Sequence, residues 1–293
     1  MAQGGIRILS PGKVNLHLQV GPRRADGYHG IKSLLQMIGL YDEIVIRSLK
    51  DEGICRVQGD FDCVPEDNLI SRAVKIFREM TRIPTGVSIR VNKTIPAGAG
   101  LGGGSGNAAS VLMALNLLFA AGLSRKEITA LGGLLGSDVP FFCGPAAAVV
   151  TGRGEEIHPL EPRGGLWALL VCPEERVGTG EAYGWFDEDI GGEDFDSTRT
   201  IVESYGKDEP SEWRFSNSLF SPVSRRKGVV AETVLRIGEC GADFTRMSGS
   251  GSACFGVFSE KPEAEHAADV LRNEYEKVWV VRLLEQSPSA TIL

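Results

Sequence analysis

Residues 96–109 read Pro96-Ala97-Gly98-Ala99-Gly100-Leu101-Gly102-Gly103-Gly104-Ser105-Gly106-Asn107-Ala108-Ala109, with six glycines in the nine positions from 98 to 106. Upstream, Val87, Ile89 and Val91 alternate with Ser88, Arg90 and Asn92, the period of a strand. Downstream, Ala108 to Ala121 is almost wholly apolar, the pattern of a buried helix. Glycines at such a strand-to-helix junction let the backbone approach a ligand and turn its N–H groups inward. The helix start adds the positive end of its dipole, and Ser105 adds a hydroxyl. Polyphosphate suits this loop, and a flexible linker would not lead straight into a buried helix.

Three phosphate-loop motifs compete for it. Gly98, Gly100 and Gly103 satisfy G-x-G-x-x-G, but the acidic ribose partner of a dinucleotide fold is missing, since 118–123 reads Leu-Phe-Ala-Ala-Gly-Leu. The chain's Gly-Lys pairs, at Lys13 and Lys207, precede Val14 and Asp208 rather than Ser or Thr, so no P-loop is present. The V-A-I-K, H-R-D and D-F-G strings of protein kinases are absent as well.

Glycine is also the one skew in composition, 37 of 293 residues or about 13%, against a usual level of roughly 7%. A net charge of −7 and a pI near 5.3 argue against a nucleic-acid coat, which needs a basic face. The six cysteines form no C-x-x-C pair, so zinc and disulfide frameworks are not indicated and reduced core residues are expected. The first ten residues lack a secretory apolar run, and Ala108 to Leu123 is too short and too polar to span a membrane. A cytoplasmic protein is the expectation.

Along the chain, Val14, Leu16, Leu18 and Val20 predict a half-buried strand whose polar face carries Lys13, Asn15, His17 and Gln19. Asp42–Ile46 predicts another. Asn68 precedes a helical spacing from Leu69 to Met80, and Ser124 precedes a helix to about Leu135. Pro159–Gly165 reads as a linker. Strands at 166–171, 253–258 and 278–284 and helices near 181, at 229–237 and at 262–275 follow, with a polar acidic insertion from Asp187 to Glu212.

Singly, the candidate chemical groups are bland. Lys13 reads as a solvated strand end, Asp138 as a cap ahead of Pro140, Tyr28-His29 as turn residues, Asn68 as a helix cap, Lys93 as a strand-end charge and Ser248–Ser252 as a small-residue turn. Together they are specific. Pro11-Gly12-Lys13-Val14-Asn15-Leu16, the loop Pro96–Ala109 and Met247-Ser248-Gly249-Ser250-Gly251 resemble the three ordered motifs of the GHMP small-molecule kinases. Arg24-Ala25-Asp26-Gly27-Tyr28-His29 and Gly136-Ser137-Asp138-Val139-Pro140-Phe141-Phe142 are similar, within that superfamily, to the kinases of 4-diphosphocytidyl-2-C-methyl-D-erythritol. The resemblance covers roughly residues 8 to 258.

The resemblance implies an α+β fold of two domains, ribosomal-S5-like over 1–160 and ferredoxin-like over 161–293, with the site between them. It implies ATP as co-substrate with Mg2+, and phosphorylation of the 2-hydroxyl of that cytidine-linked alcohol in non-mevalonate isoprenoid synthesis. Asp138 would be the base and Lys13 its charged partner. Pro96, Ala97, Gly98, Ala99, Gly100, Leu101, Gly102, Gly103, Gly104, Ser105 and Gly106 would hold the nucleotide, with Asn68 and Lys93 near adenine. Asn15 and Thr179 would meet the substrate, and Tyr28 and His29 its cytosine. The family commonly has two serines after the triple glycine, so Gly106 implies that one hydroxyl is missing there or replaced by water. No protein ligand set for the metal is legible, and neither is the choice between monomer and homodimer. Another GHMP kinase, for mevalonate, homoserine or a sugar, is the near alternative; a nicotinamide oxidoreductase is the distant one.

Overall fold

The computed structural model describes residues 4–64, 67–84 and 86–293. Its frame is a long antiparallel hairpin of β1 (Gly5–Arg23) and β2 (His29–Leu49). The register slips at Pro11/Gly12 and again at Asn15/His17. Such bulges re-aim side chains beside active sites, and here they bracket Lys13 and Asn15.

Next come β3 (Cys55–Gln58), α1 (Leu69–Thr81), β4 (Gly86–Asn92), α2 (Gly103–Leu118), α3 (Arg125–Gly133), α4 (Val139–Phe142), β5 (Ala147–Thr151) and β6 (Glu156–Leu160). The second half holds β7 (Trp167–Val171), α5 (Thr179–Asp189), α6 (Thr198–Lys207), α7 (Phe220–Arg226), α8 (Gly228–Glu239), β8 (Phe244–Met247), β9 (Cys254–Phe258), α9 (Lys261–Leu271), β10 (Val278–Arg282) and β11 (Thr291–Ile292). The first sheet runs β11-β1-β2-β4-β3, with β5 on β2 and β6 on β5; the second is antiparallel in the order β10-β7-β9-β8. The chain end thus returns to the first sheet, where Ile292 pairs with Ile6.

One core packs α1 and α2 on the first sheet through Phe77, Leu112, Leu115 and Ile89. A second joins the two halves: Val14, Leu16, Leu34 and Ile38 of the hairpin meet Leu170, Phe255 and Leu283. At about 1.5–3 kcal/mol per fully buried large apolar side chain, this shared cluster holds the sheets at a fixed spacing.

Several sequence-based expectations change. The polar side of β1 is not half exposed: Lys13, Asn15, His17 and Gln19 are all under 8% accessible because the second half covers that face. Helix α2 begins at Gly103, inside the glycine loop, and ends at Leu118 rather than Ala121. The linker from Pro159 is shorter, since β6 runs to Leu160. The acidic stretch contains α6, whose Tyr205 packs in the core with Trp213. All six cysteines are free, but Cys63 is exposed and only Cys143, Cys172 and Cys254 are buried.

Candidate active site

A cavity of about 430 Å³ lies between the two halves, lined by Lys13, Asn15, Asn68, Lys93, Asp138, Thr179 and most of the loop from Pro96 to Ser105. A second cavity of about 350 Å³ adjoins it and shares Lys93 and Pro96–Ala99. Leu101 and Gly106 are not in the lining: Leu101 packs in the inter-sheet core, and a Cβ on Gly106 would stand 2.7 Å from the Pro11 carbonyl oxygen. Gly106 thus packs closely against β1, where a side chain would clash.

Two glycines are required by geometry. Gly100 has φ +78° and a Cβ there would lie 2.1 Å from the Ser248 carbonyl oxygen. Gly102, the N-cap of α2 at φ +70°, abuts the Phe142 ring and Lys13 Cγ, at 2.9 and 3.1 Å from a built Cβ. The loop is stitched in place on both sides. Lys13 N donates to the Leu101 carbonyl at 2.9 Å, and Ala253 N to that of Ala99 at 3.1 Å. No side chain caps α2, and no acidic residue sits in its first turn. Its leading N–H groups and the positive dipole end therefore remain for an anion.

Lys13 Nζ donates to the Gly100 carbonyl at 2.8 Å and to Asn15 Oδ1, and lies 3.8 Å from Asp138 Oδ2. Asn15 is oriented by its own amide, which donates to Ser33 Oγ at 2.9 Å. Burial lowers the Lys13 pKa from its usual 10.5, and the facing Asp138 carboxylate opposes that fall. Asp138 occupies the N-cap position of α4, yet its side chain makes no cap hydrogen bond. The carboxylate points to Lys13 instead, so the cap reading is overturned.

The other bland readings fare differently. Asn68 does cap α1, accepting from Ile70 N at 2.9 Å, while still lining the cavity. Lys93 is no free strand end: its ammonium pairs with the fully buried Asp42. Thr179 opens α5, with its hydroxyl 3.3 Å from that of Ser250.

Tyr28 and His29 lie outside the cavity lining, at the hairpin turn. Tyr28 is 57% exposed, with the Arg153 guanidinium over its ring at 5.2 Å. His29 is buried, donates through Nδ1 to the Gly21 carbonyl at 2.9 Å, and presents Nε2 to Asp187 at 3.2 Å. Its ring stands 5.4 Å from that of Tyr183, which does line the cavity. Residues 193–196 strap this hairpin down: Glu193 N donates to the Val20 carbonyl, Asp196 N to Gln19 Oε1, and Phe195 covers Gly21.

The chain matches the GHMP kinases N terminal domain over residues 68–145 and the GHMP kinases C terminal domain over 213–277. A 4-diphosphocytidyl-2-C-methyl-D-erythritol kinase of Treponema pallidum is 40% identical over 280 residues, covering 92% of this chain and 95% of that protein. One from Symbiobacterium thermophilum is 36% identical, covering 93% and 97%. The crystal structure of a 4-(cytidine 5'-diphospho)-2C-methyl-D-erythritol kinase superposes with TM-score 0.80 at 35% identity, over 94% of this chain and 98% of that one. This chain belongs to the 4-diphosphocytidyl-2-C-methyl-D-erythritol kinase family of the GHMP kinases.

For a GHMP kinase, sequence reasoning misses three residues of the site. Tyr183 lines the cavity with Asp138 and stands beside the His29 ring, and burial together with the Asp138 charge pushes its phenol pKa up. Asp187 fixes His29. Asp42 holds Lys93. Tyr183 lay in a helical stretch with no motif, and Asp187 opened the unassigned acidic insertion; Asp42 had the ordinary place of a strand residue.

GHMP kinases use ATP as co-substrate. Among the described residues no cluster of three or more His, Cys, Asp or Glu is placed to hold a metal ion by itself. No helix among them is long and apolar enough to cross a membrane.

Proposed function

We propose that this GHMP kinase transfers the γ-phosphoryl group of ATP to the 2-hydroxyl of 4-diphosphocytidyl-2-C-methyl-D-erythritol, in the non-mevalonate route to isoprenoid precursors. The observation that carries the reading is the Lys13–Asp138 pair, 3.8 Å apart, in a cavity bounded by an uncapped helix start and leading toward His29 through Tyr183. Residues 1–160 would supply the nucleotide side, and 161–293 would cover the acceptor. Mg2+ would enter with ATP and neutralise the β- and γ-phosphate charge.

The chain's own groups then have defined tasks. Phosphoryl transfer needs an in-line alcohol and stabilised charge more than covalent help from the protein. Asp138 Oδ2 accepts the alcohol proton as the oxygen–phosphorus bond forms. The Lys13 ammonium faces the Asp138 carboxylate and offsets charge on the moving group. Asn15 and the Gly100 carbonyl fix that ammonium, and N–H groups of the 98–105 loop face the phosphates. Asn68 lies at the nucleotide side, Thr179 at the acceptor, and His29, with Tyr28 at the turn, reads the cytosine.

The test is an acceptor panel with Mg-ATP, followed by ADP release. Turnover with the cytidine-linked alcohol, and little with mevalonate, homoserine or simple sugars, is the expected result. ADP formation on an acceptor lacking a nucleobase, with none on the cytidine compound, would overturn the reading.

A further inference from the structure

Asp42 is fully buried, and both its carboxylate oxygens are doubly engaged. Oδ1 accepts from Thr94 N at 2.7 Å and Ile95 N at 2.9 Å. Oδ2 accepts from the Lys93 ammonium and from Asn107 Nδ2, the latter at 2.9 Å. A single carboxylate on β2 therefore ties down the end of β4, the entry to the glycine loop and the first turns of α2. The Lys93 ammonium reaches the helix start: it lies 3.4 Å from where a Cβ on Gly103, the first residue of α2, would stand. A phosphate seated on the leading N–H groups of α2 would be within reach of it.

We infer that Asp42 is a positioning residue for ATP: it sets the Lys93 ammonium against the start of α2, within reach of the phosphates of the nucleotide. A residue without a carboxylate at 42 breaks the arrangement for a plain reason. Four donors converge on one site, and only an ionised carboxylate offers acceptors to all four. An asparagine at 42 would turn an N–H₂ donor either toward Lys93 and Asn107 or toward the backbone pair. The ammonium, or the backbone at the entry to the glycine loop, would then lose its anchor.

The inference rests on the loop binding ATP, and the experiment separates the two. Affinities of wild type, Lys93→Met, Asp42→Asn and the double variant are measured by calorimetry for ATP, ADP and adenosine, with thermal melts as fold control. Each single variant is expected to weaken ATP and ADP by about 10- to 100-fold, the usual worth of a charged hydrogen bond, and adenosine by less than about twofold. The double variant is expected to be no weaker than Lys93→Met, and KM for the acceptor to stay unchanged. If Asp42→Asn does not fold, Asn107→Ala, which loosens Asp42 without touching the Lys93 charge, takes its place in the cycle. Additive losses, or an equal loss for adenosine in Lys93→Met, overturn the role assigned to Asp42 and Lys93. Wild-type protein that binds no ATP overturns the kinase reading itself.

Discussion

Lys13 Nζ and Asp138 Oδ2 face each other at 3.8 Å, yet their side chains differ sharply in exposure, at 4% and 39%. The buried partner is held by Asn15 and Gly100, while the half-exposed one opens to the cavity. A fixed cation beside an accessible carboxylate is the arrangement an alcohol-activating base needs. Asp138→Asn is expected to lower kcat by about 10²–10⁴-fold, the usual share of a general base, and to leave ATP affinity nearly intact. Steady-state ADP release and calorimetry check this, and wild-type turnover in the variant would remove Asp138 from the chemistry.

The same pair has a pH signature. Burial lowers the Lys13 pKa below 10.5, so the ammonium neutralises earlier than a free lysine as pH rises. Activity is expected to fall on the alkaline side with an apparent pKa below 10.5. The stability sign runs the other way. Between the lowered folded value and the unfolded 10.5 the folded chain binds fewer protons, so unfolding free energy contributed by Lys13 rises with pH through that window. Urea melts of wild type and Lys13→Met across the window should differ in slope, with the variant flatter.

Gly102 and Gly98 make a matched pair in the loop. Both have positive φ, +70° and +68°, but a Cβ on Gly102 strikes Phe142 and Lys13 while one on Gly98 meets nothing within 4 Å. Gly98→Ala is expected to cost only the left-handed backbone strain of roughly 1–2 kcal/mol. Gly102→Ala adds an overpacking penalty of about 1–3 kcal/mol and displaces Lys13, so turnover falls as well. Denaturant melts and kcat for the two variants test the contrast.

Tyr183 connects the cavity to the hairpin: its ring lies 5.4 Å from that of His29, and it lines the cavity together with Asp138. Tyr183→Ala is expected to raise the acceptor KM about tenfold or more, the effect of removing roughly 1.4 kcal/mol of ring packing, with ATP KM unchanged. Tyr183→Phe keeps the ring and should stay close to wild type. Equal effects of the two substitutions would shift the role from ring to hydroxyl.

The glycine loop, the strand before it and the buried helix after it were legible because their signals are local: period, apolar content and residues without Cβ. So were Asn68 at the start of α1 and Ser124 at the start of α3, whose cap bonds reach backbone N–H groups only two and three positions on. The family resemblance placed Lys13 and Asp138 in one site before any distance was known.

Other features depend on partners far along the chain. Lys13 and Asp138 meet where register breaks in the β1–β2 hairpin flank Lys13 and where the Asp138 side chain makes no cap bond to α4. The polar face of β1 is buried because the glycine loop, the turn at Ser248 and residues 194–216 close over it, which no alternation pattern within β1 can encode. Asp42 sits 51 residues from Lys93 and 65 from Asn107, and Asp187 reaches His29 across the hairpin. By itself the sequence determined the elements and the kind of ligand loop. The tertiary structure decided which charges are paired, which are buried and which face the ligand, because desolvation and hydrogen-bond partnership exist only after distant segments close around them.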